Sequence, residues 1–478
     1  MSSPVSSPSG VLSTSRLRVA FAVLLLSMLL AMLDSTVVGT AMPTIVAELG
    51  GLDHLSWVVT AYTLTTAAST PIWGKLGDLY GRKGVHLSAL VIFTLSSVAC
   101  GFAQDMGQLI AFRAVQGLGG GGLTVGALSL IGVLVPPRER GRYQGMMAAF
   151  MAVGQIGGPL FGGMITTLLG WRWNFYLNLP LGLLVIAATA IVLVVPPVPR
   201  REVHLDLRGA FLLTVAVTGL LLLTSTLGHT GPTAVLALIT AGALVAFVVV
   251  ERRSADPVLP LSMFARRNTL MTTVITFVAG AVSFGAITFI PVFQQNVQGA
   301  TASDSGLLLL PMTLAVVVAS QLAGRRSSRT GRYRAFPIAG ALFLTAGCGV
   351  LATLHAGSPV WIIGIALALV GFGLGLSTQM VMLIAQNSVP VGEIGVATAN
   401  TTMFRTIGGA LGTSVFGLLL TAGGASAQGL VTGLSHIFVV AGILSLLALA
   451  AAWRIRELPL RRTTGESEQA TAPAAGAR

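Results

Sequence analysis

The chain has 478 residues, 54% of them hydrophobic and 9% charged, with a mean hydropathy of +0.86. A soluble domain carries about a quarter charged residues, so this composition excludes a soluble globular protein and identifies an integral membrane protein. The formal charge of +13 does not make it a nucleic-acid binder, because the Lys and Arg lie in short loops rather than on one amphipathic face. Two cysteines and six scattered histidines offer neither a disulfide framework nor a metal cluster.

About 20 apolar residues at 1.5 Å rise cross a hydrocarbon core of about 30 Å. In chain order this predicts an all-α fold with spans near 19–41, 56–74, 85–103, 108–134, 143–169, 174–195, 209–227, 233–250, 269–293, 305–323, 335–354, 360–385, 396–420 and 435–453, fourteen in all. Residues 1–15 and 461–478 are rich in Ser, Thr, Ala, Gly and Pro, which predicts disordered tails. Arg16 and Arg18 ahead of the first span, with small residues near Gly39 to Ala41, also fit a cleavable leader. The later spans need the first to set their orientation, so we read it as a retained helix.

Charge bias tests the count independently. With the N-terminus inside, 25 of the 28 basic residues fall in inward segments, Arg172 alone lies outside, and Arg113 and Arg405 lie within spans. The basic excess is therefore a topology signal, and all six Trp stand near span ends as an interfacial belt would place them. Removing 209–227 and 233–250, each near the minimum length, keeps the same parity and leaves twelve.

Three matches at similar offsets indicate an internal repeat. GKLGDLYGRK from Gly74 and GRRSSRTGRY from Gly324 share G-x6-G-R at an offset of 250. Pro136, Glu139 and Gly141 recur as Pro390, Glu393 and Gly395 at 254, and Pro43 recurs as Pro291 at 248. Transporters are often built from such halves with the site between them. The expected organisation is a six-helix half over 16–200, two inserted helices over 201–255, and a second six-helix half over 256–460.

These residues also carry a resemblance. The chain resembles the major facilitator superfamily, and within it the fourteen-helix drug:proton antiporters. The loop motif is matched at Gly74, Leu76, Asp78, Gly81, Arg82 and Lys83, the fourth-helix motif by RAVQGLGGG from Arg113, and the antiporter motif at Gly154, Gly158, Pro159, Gly162 and Gly163. LDSTVVGTAMP is similar to the family's first-helix pattern and WRWNFYLNLPLG to its sixth-helix entry, while Gly39 and Ser328 depart from it. The resemblance implies that Asp78 and Arg82 latch the halves, with Asp78 facing the positive end of a neighbouring helix. It also implies that the bent fifth helix seals a gate, with Gly408, Gly409 and Gly412 doing the same in the thirteenth. Close helix packing by glycines every four residues is the plainer reading of that stripe.

One carboxylate, Asp34, stands within the first span, at a cost of about 2.5–3.5 kcal/mol on insertion scales. Asp34 and Arg113 both fall roughly 8–10 Å below the outer surface, so they can meet. Arg113, Gln116 and Gly117 share a helix face. A static ion pair would explain this. A proton carrier would too, because burial disfavours the carboxylate and a guanidinium favours it. A proton moving down 100 mV and one pH unit supplies about 3.7 kcal/mol, enough for a roughly 500-fold gradient of neutral substrate.

The expectation is thus a monomeric, multi-pass transporter of the cytoplasmic membrane with both termini inside, using no cofactor beyond the proton gradient. It would export a small hydrophobic or amphipathic compound, such as an antibiotic. A proton-coupled uptake carrier is the alternative on the same fold. Against an embedded enzyme, no nucleophile and base fall together in the spans. The resemblance places the cavity among the first, fourth, ninth and twelfth helices, with Gln116, Phe284, Gln379 and Met380 as candidate contacts.

Overall fold

The structure is a computed structural model and describes residues 14–50, 55–195, 206–226, 230–254, 256–424 and 426–460. The expected tails lie outside these residues, apart from Thr14 and Ser15, which already belong to the first helix. The long helices are α1 (Thr14–Leu49), α2 (Leu55–Tyr80), α3 (Arg82–Gly101), α4 (Met106–Leu134) and α5 (Pro137–Leu169). A short α6 (Trp173–Tyr176) leads into α7 (Asn178–Val192), followed by α8 (Leu207–Thr226), α9 (Thr230–Arg253) and α10 (Arg267–Val297). A short α11 (Ala302–Leu307) precedes α12 (Leu310–Thr330), and α13 (Ala335–Ala352), α14 (Val360–Asn387), α15 (Ile394–Ala422) and α16 (Ala427–Trp453) complete the order.

Helix is the economical choice here, because in lipid each backbone polar group must be satisfied within the chain. Eleven of these helical stretches are long and apolar enough to cross a membrane, and α8 contributes a shorter apolar helix over Leu207–Leu223. The remaining two long helices, α2 and α5, are diluted by Thr, Ser and Gly and by charges at one end.

Several boundaries differ from expectation. The segment GKLGDLYGRK, expected as a loop, is almost wholly helical. α2 runs to Tyr80, α3 starts at Arg82, and the chain turns on Gly81 alone at φ 99°. GRRSSRTGRY behaves alike, with α12 running to Thr330 and the turn on Gly331 at φ 72°. Left-handed φ suits glycine, having no Cβ, so the two repeats turn on equivalent glycines. The expected sixth and tenth spans are each broken near the outer end, into α6 with α7 and α11 with α12. Trp171 stands at a span end but is turned inward: it is 1% exposed and donates to Glu48 at 2.7 Å.

The apolar cores sort the helices. Two cores draw on residues before 195, one of them around Leu24, Phe93 and Leu130, the other around Ile45, Leu109 and Phe175. A third lies after residue 275, around Phe289, Leu344 and Phe438. A fourth joins Leu64 and Ala67 of α2 to Val396 and Ile407 of α15 and seats α8 and α9 there through Leu213, Val217 and Phe247.

The hydrogen bonds that cross between the two halves gather at the end rich in basic residues. Asp78 accepts from the amides of Gly395 at 3.0 Å and Val396 at 2.9 Å. Arg82 donates to the Val391 carbonyl at 2.6 Å, and Gln386 of α14 donates to the Leu128 carbonyl of α4 at 3.3 Å. Arg138 reaches the carbonyls of Ser328 and Arg329 at 3.4 Å. Backbones approach closely there: a Cβ on Gly141 would lie 3.0 Å from the Gly324 carbonyl oxygen. The halves are therefore joined at the end where the basic residues gather, the end that the charge bias predicts to be inward.

Candidate functional site

The site begins at Asp34. The neighbouring hydroxyls do not compete for it, since Ser35 and Thr40 return their protons to Met32 and Val37 carbonyls at 2.8 Å and Thr36 bonds the Met32 and Leu33 carbonyls. Asp34 is 3% exposed and points into the N-terminal half. One carboxylate oxygen takes Arg113 Nη1 at 2.5 Å. The other takes Gln116 Nε2 at 2.8 Å and Asn178 Nδ2 at 3.0 Å. Three donors on one carboxylate compensate its lost hydration.

The network extends over five helices. Arg113 also donates to Gln116 Oε1 at 2.8 Å and to the Val58 carbonyl at 3.5 Å, and its guanidinium lies 4.2 Å from the Tyr62 ring centroid. Asn178 passes its second proton to Ser97 Oγ at 2.9 Å, and Ser97 donates to the Phe175 carbonyl at 3.0 Å. Cys100 Sγ meets Gln116 Oε1 at 3.5 Å. Thus α1, α2, α3, α4 and α7 meet at one neutral pair that solvent does not reach. Opposite charges at this meeting point tie the five helices to one another.

The structure brings Asp34, Arg113 and Gln116 together. Asn178, Ser97 and Tyr62 were not singled out by sequence reasoning. The signal for Asn178 is present, because an Asn in an apolar span is costly without a partner, and it stands inside WRWNFYLNLPLG.

The substrate candidates differ in exposure. Gln116 is fully buried in the ion-pair network, and Met380 is fully buried in the core of the C-terminal half, so neither offers a surface to a substrate in this state. A periodic apolar helix does not reveal which face is covered. Phe284 is 43% exposed, and Gln379 is partly exposed.

The motif glycines divide by partner. Gly74 stands against Ala399 and the Gly395 carbonyl across the halves, and Asp78 pairs with Arg82 at 2.6 Å beside the N-terminus of α15. Gly154, Gly158 and Gly162 face Leu29, Thr36 and Val37 of α1, within the same half. The stripe therefore seals α5 to α1 here, and the contact of α5 with the other half lies lower, at Gly141 and Gly145. Gly163 faces open space, and Pro159 lies within helical α5. Gly408 and Gly412 meet Phe277 and Ala281 of α10, and Gly409 lies under the Phe284 ring, which repeats the α5–α1 arrangement in the second half.

Comparison with known proteins agrees with this architecture. The description Major Facilitator Superfamily matches residues 24–413. An uncharacterized MFS-type transporter of Mycobacterium tuberculosis (strain ATCC 25618 / H37Rv) is 40% identical over 418 residues, 86% of this chain and 60% of that protein. The chain thus spans about three fifths of that relative's length. The multidrug transporter protein MdtP of Bacillus subtilis (strain 168) is 36% identical over 409 residues, 84% of this chain and 74% of that protein. Among solved structures, the proton:xylose symporter XylE bound to 6-bromo-6-deoxy-D-glucose shares the fold, with a TM-score of 0.68 at 16% identity over 94% of this chain and 98% of that one.

Proposed function

The chain belongs to the Major Facilitator Superfamily and is a multi-pass membrane transporter of a small molecule, not an enzyme, and from that premise we propose that it exports hydrophobic or amphipathic compounds in exchange for protons. The carrying observation is Asp34, a buried carboxylate held by Arg113, Gln116 and Asn178. A relative named as a multidrug transporter supports the broad substrate class, and relatives named as efflux pumps support the outward direction. Proton arrival at Asp34 cancels its attraction for Arg113, frees the helices that meet there, and favours the alternate arrangement of the halves. Deprotonation on the inside restores the pair. The latch at Asp78 then holds the inner end shut while the outer end releases substrate.

In this reading α2, α5 and α8 join the eleven other apolar stretches to make fourteen crossings, both termini lie in the cytoplasm, and the protein works as a monomer in the cytoplasmic membrane without a cofactor. Antibiotic resistance follows where the substrate is an antibiotic. Everted membrane vesicles with an acid lumen provide the test. The neutral dye N-phenyl-1-naphthylamine should accumulate inside them and draw protons out, and a protonophore should abolish both. Dye accumulation indifferent to the protonophore would defeat proton coupling, and movement in the opposite sense would make the chain an uptake carrier.

A further inference from the structure

A second cation lies within a span, and unlike Arg113 it has no counter-charge among the described residues. Arg405 sits on α15, a helix of 29 residues that starts at Ile394, so it stands roughly 16 Å from the cytoplasmic end. Its side chain is exposed, and among the described residues it has no ion pair, hydrogen bond or ring partner. Thr398, two turns earlier on the same face, accepts from Gln386 of α14 at 3.0 Å, and Gln386 in turn reaches Leu128 of α4. Gly409, one turn later, lies against the Phe284 ring of α10. The face carrying Arg405 therefore looks into the convergence of α4, α10 and α14, between the halves, and not into lipid.

No acid waits there. α4, α10, α14 and α15 contain no Asp or Glu, and Asp34 of α1 is already committed to Arg113. A standing cation at that depth is expensive unless something brings an anion to it. We propose that Arg405 is an anion-anchoring residue of the substrate site, and that the transported compounds include amphipathic acids whose carboxylate or sulfonate pairs with its guanidinium while an aromatic body lies against Phe284. Arg suits this role because its planar fork donates two parallel hydrogen bonds to such a group. The phenyl ring one turn away, 43% exposed, supplies the apolar wall. This assignment deepens the exporter reading and rests on it for the direction of transport.

The test uses the purified full chain in detergent and two dyes with the same ring system, 1-anilinonaphthalene-8-sulfonate and the neutral N-phenyl-1-naphthylamine, measured by equilibrium dialysis against empty micelles. The wild type should bind the sulfonate at least about tenfold more tightly, which is about 1.4 kcal/mol. Arg405→Gln should remove that preference and leave the neutral dye within about twofold, and Arg405→Lys should keep part of it, since charge remains and the fork is lost. Equal wild-type affinity for the two dyes overturns the proposal whether or not a variant folds, as does an unchanged sulfonate affinity in Arg405→Gln. Displacement of the sulfonate by phosphatidylglycerol in mixed micelles, with no Arg405-dependent transport of the sulfonate in vesicles, would assign the site to a lipid headgroup and also overturn it. Proton-driven accumulation of the neutral dye in everted vesicles is read separately. Its failure beside a preserved sulfonate preference would defeat the exporter reading and leave the anion site standing.

Discussion

The carboxylate of Asp78 accepts the backbone N–H of Val396 at 2.9 Å, so an acid in the last turn of α2 caps the start of α15 in the other half. The same carboxylate takes Gly395 N–H and the Arg82 guanidinium, and Arg82 bonds the Val391 carbonyl. Anionic charge at a helix N-terminus is favourable on electrostatic grounds, and here the pairing spans the two moving bodies.

Asp78→Asn should weaken that latch. Hydrogen bonds to a charged group are worth about 1.5–3 kcal/mol, so the inner-closed population should fall by about tenfold or more. Spin labels on the cytoplasmic ends of α2 and α15, read as a distance distribution, should show a growing long-distance fraction. An unchanged distribution would reduce Asp78 to a local helix cap.

Gly158→Leu should lower transport by about tenfold while the protein still reaches the membrane, because overpacking a close contact costs about 1–3 kcal/mol. The added Cβ would fall on Thr36 Oγ1 of α1. Gly163→Ala, five positions on and facing open space, should transport like the wild type. Dye efflux from cells matched for membrane protein level compares them. Equal activity of all three would show that the α1–α5 approach is indifferent to bulk.

Asp34→Asn should insert normally, since an amide is cheaper to bury than a charge, and should lose substrate-driven proton release by about tenfold or more. Arg113→Ala should instead insert and remain coupled in part, because Gln116 and Asn178 still hold the acid. Proton release on adding dye to detergent-purified protein, followed with a pH indicator, separates them. Release from Asp34→Asn equal to wild type would return the pair to a strut between helices.

A cysteine label at Thr230 should react from outside, and one added at the C-terminus from inside, because basic residues cluster on alternate sides of the spans and the hairpin at residue 230 is short and uncharged. Reaction of the Thr230 label from inside would remove α8 and α9 as crossings.

How much of this was readable in advance follows from what membrane helices record. The apolar helices and the repeat were legible, because crossing about 30 Å of hydrocarbon demands about 20 apolar residues and the two repeats turn on equivalent glycines, Gly81 and Gly331. The meeting of Asp34 with Arg113 was legible too, since a shared depth follows from helical rise and a lone acid in a span demands a partner. The faces of the helices were not. In water an apolar stripe marks the side that is buried, but lipid tails are as apolar as Leu, so the side turned to lipid and the side turned to a neighbour read alike. Met380, buried in a core, and Phe284, exposed between helices, both follow from packing alone. So do the capture of Gln116 and Asn178 by Asp34, the docking of the Gly154, Gly158 and Gly162 stripe on α1, and the absence of any described counter-ion beside Arg405. The sequence by itself determined which residues must lie in the membrane and at what depth, because that depends on transfer free energy along one axis. Only the tertiary structure decided which of them face each other around it, because that depends on shape complementarity between helices whose surfaces are chemically alike.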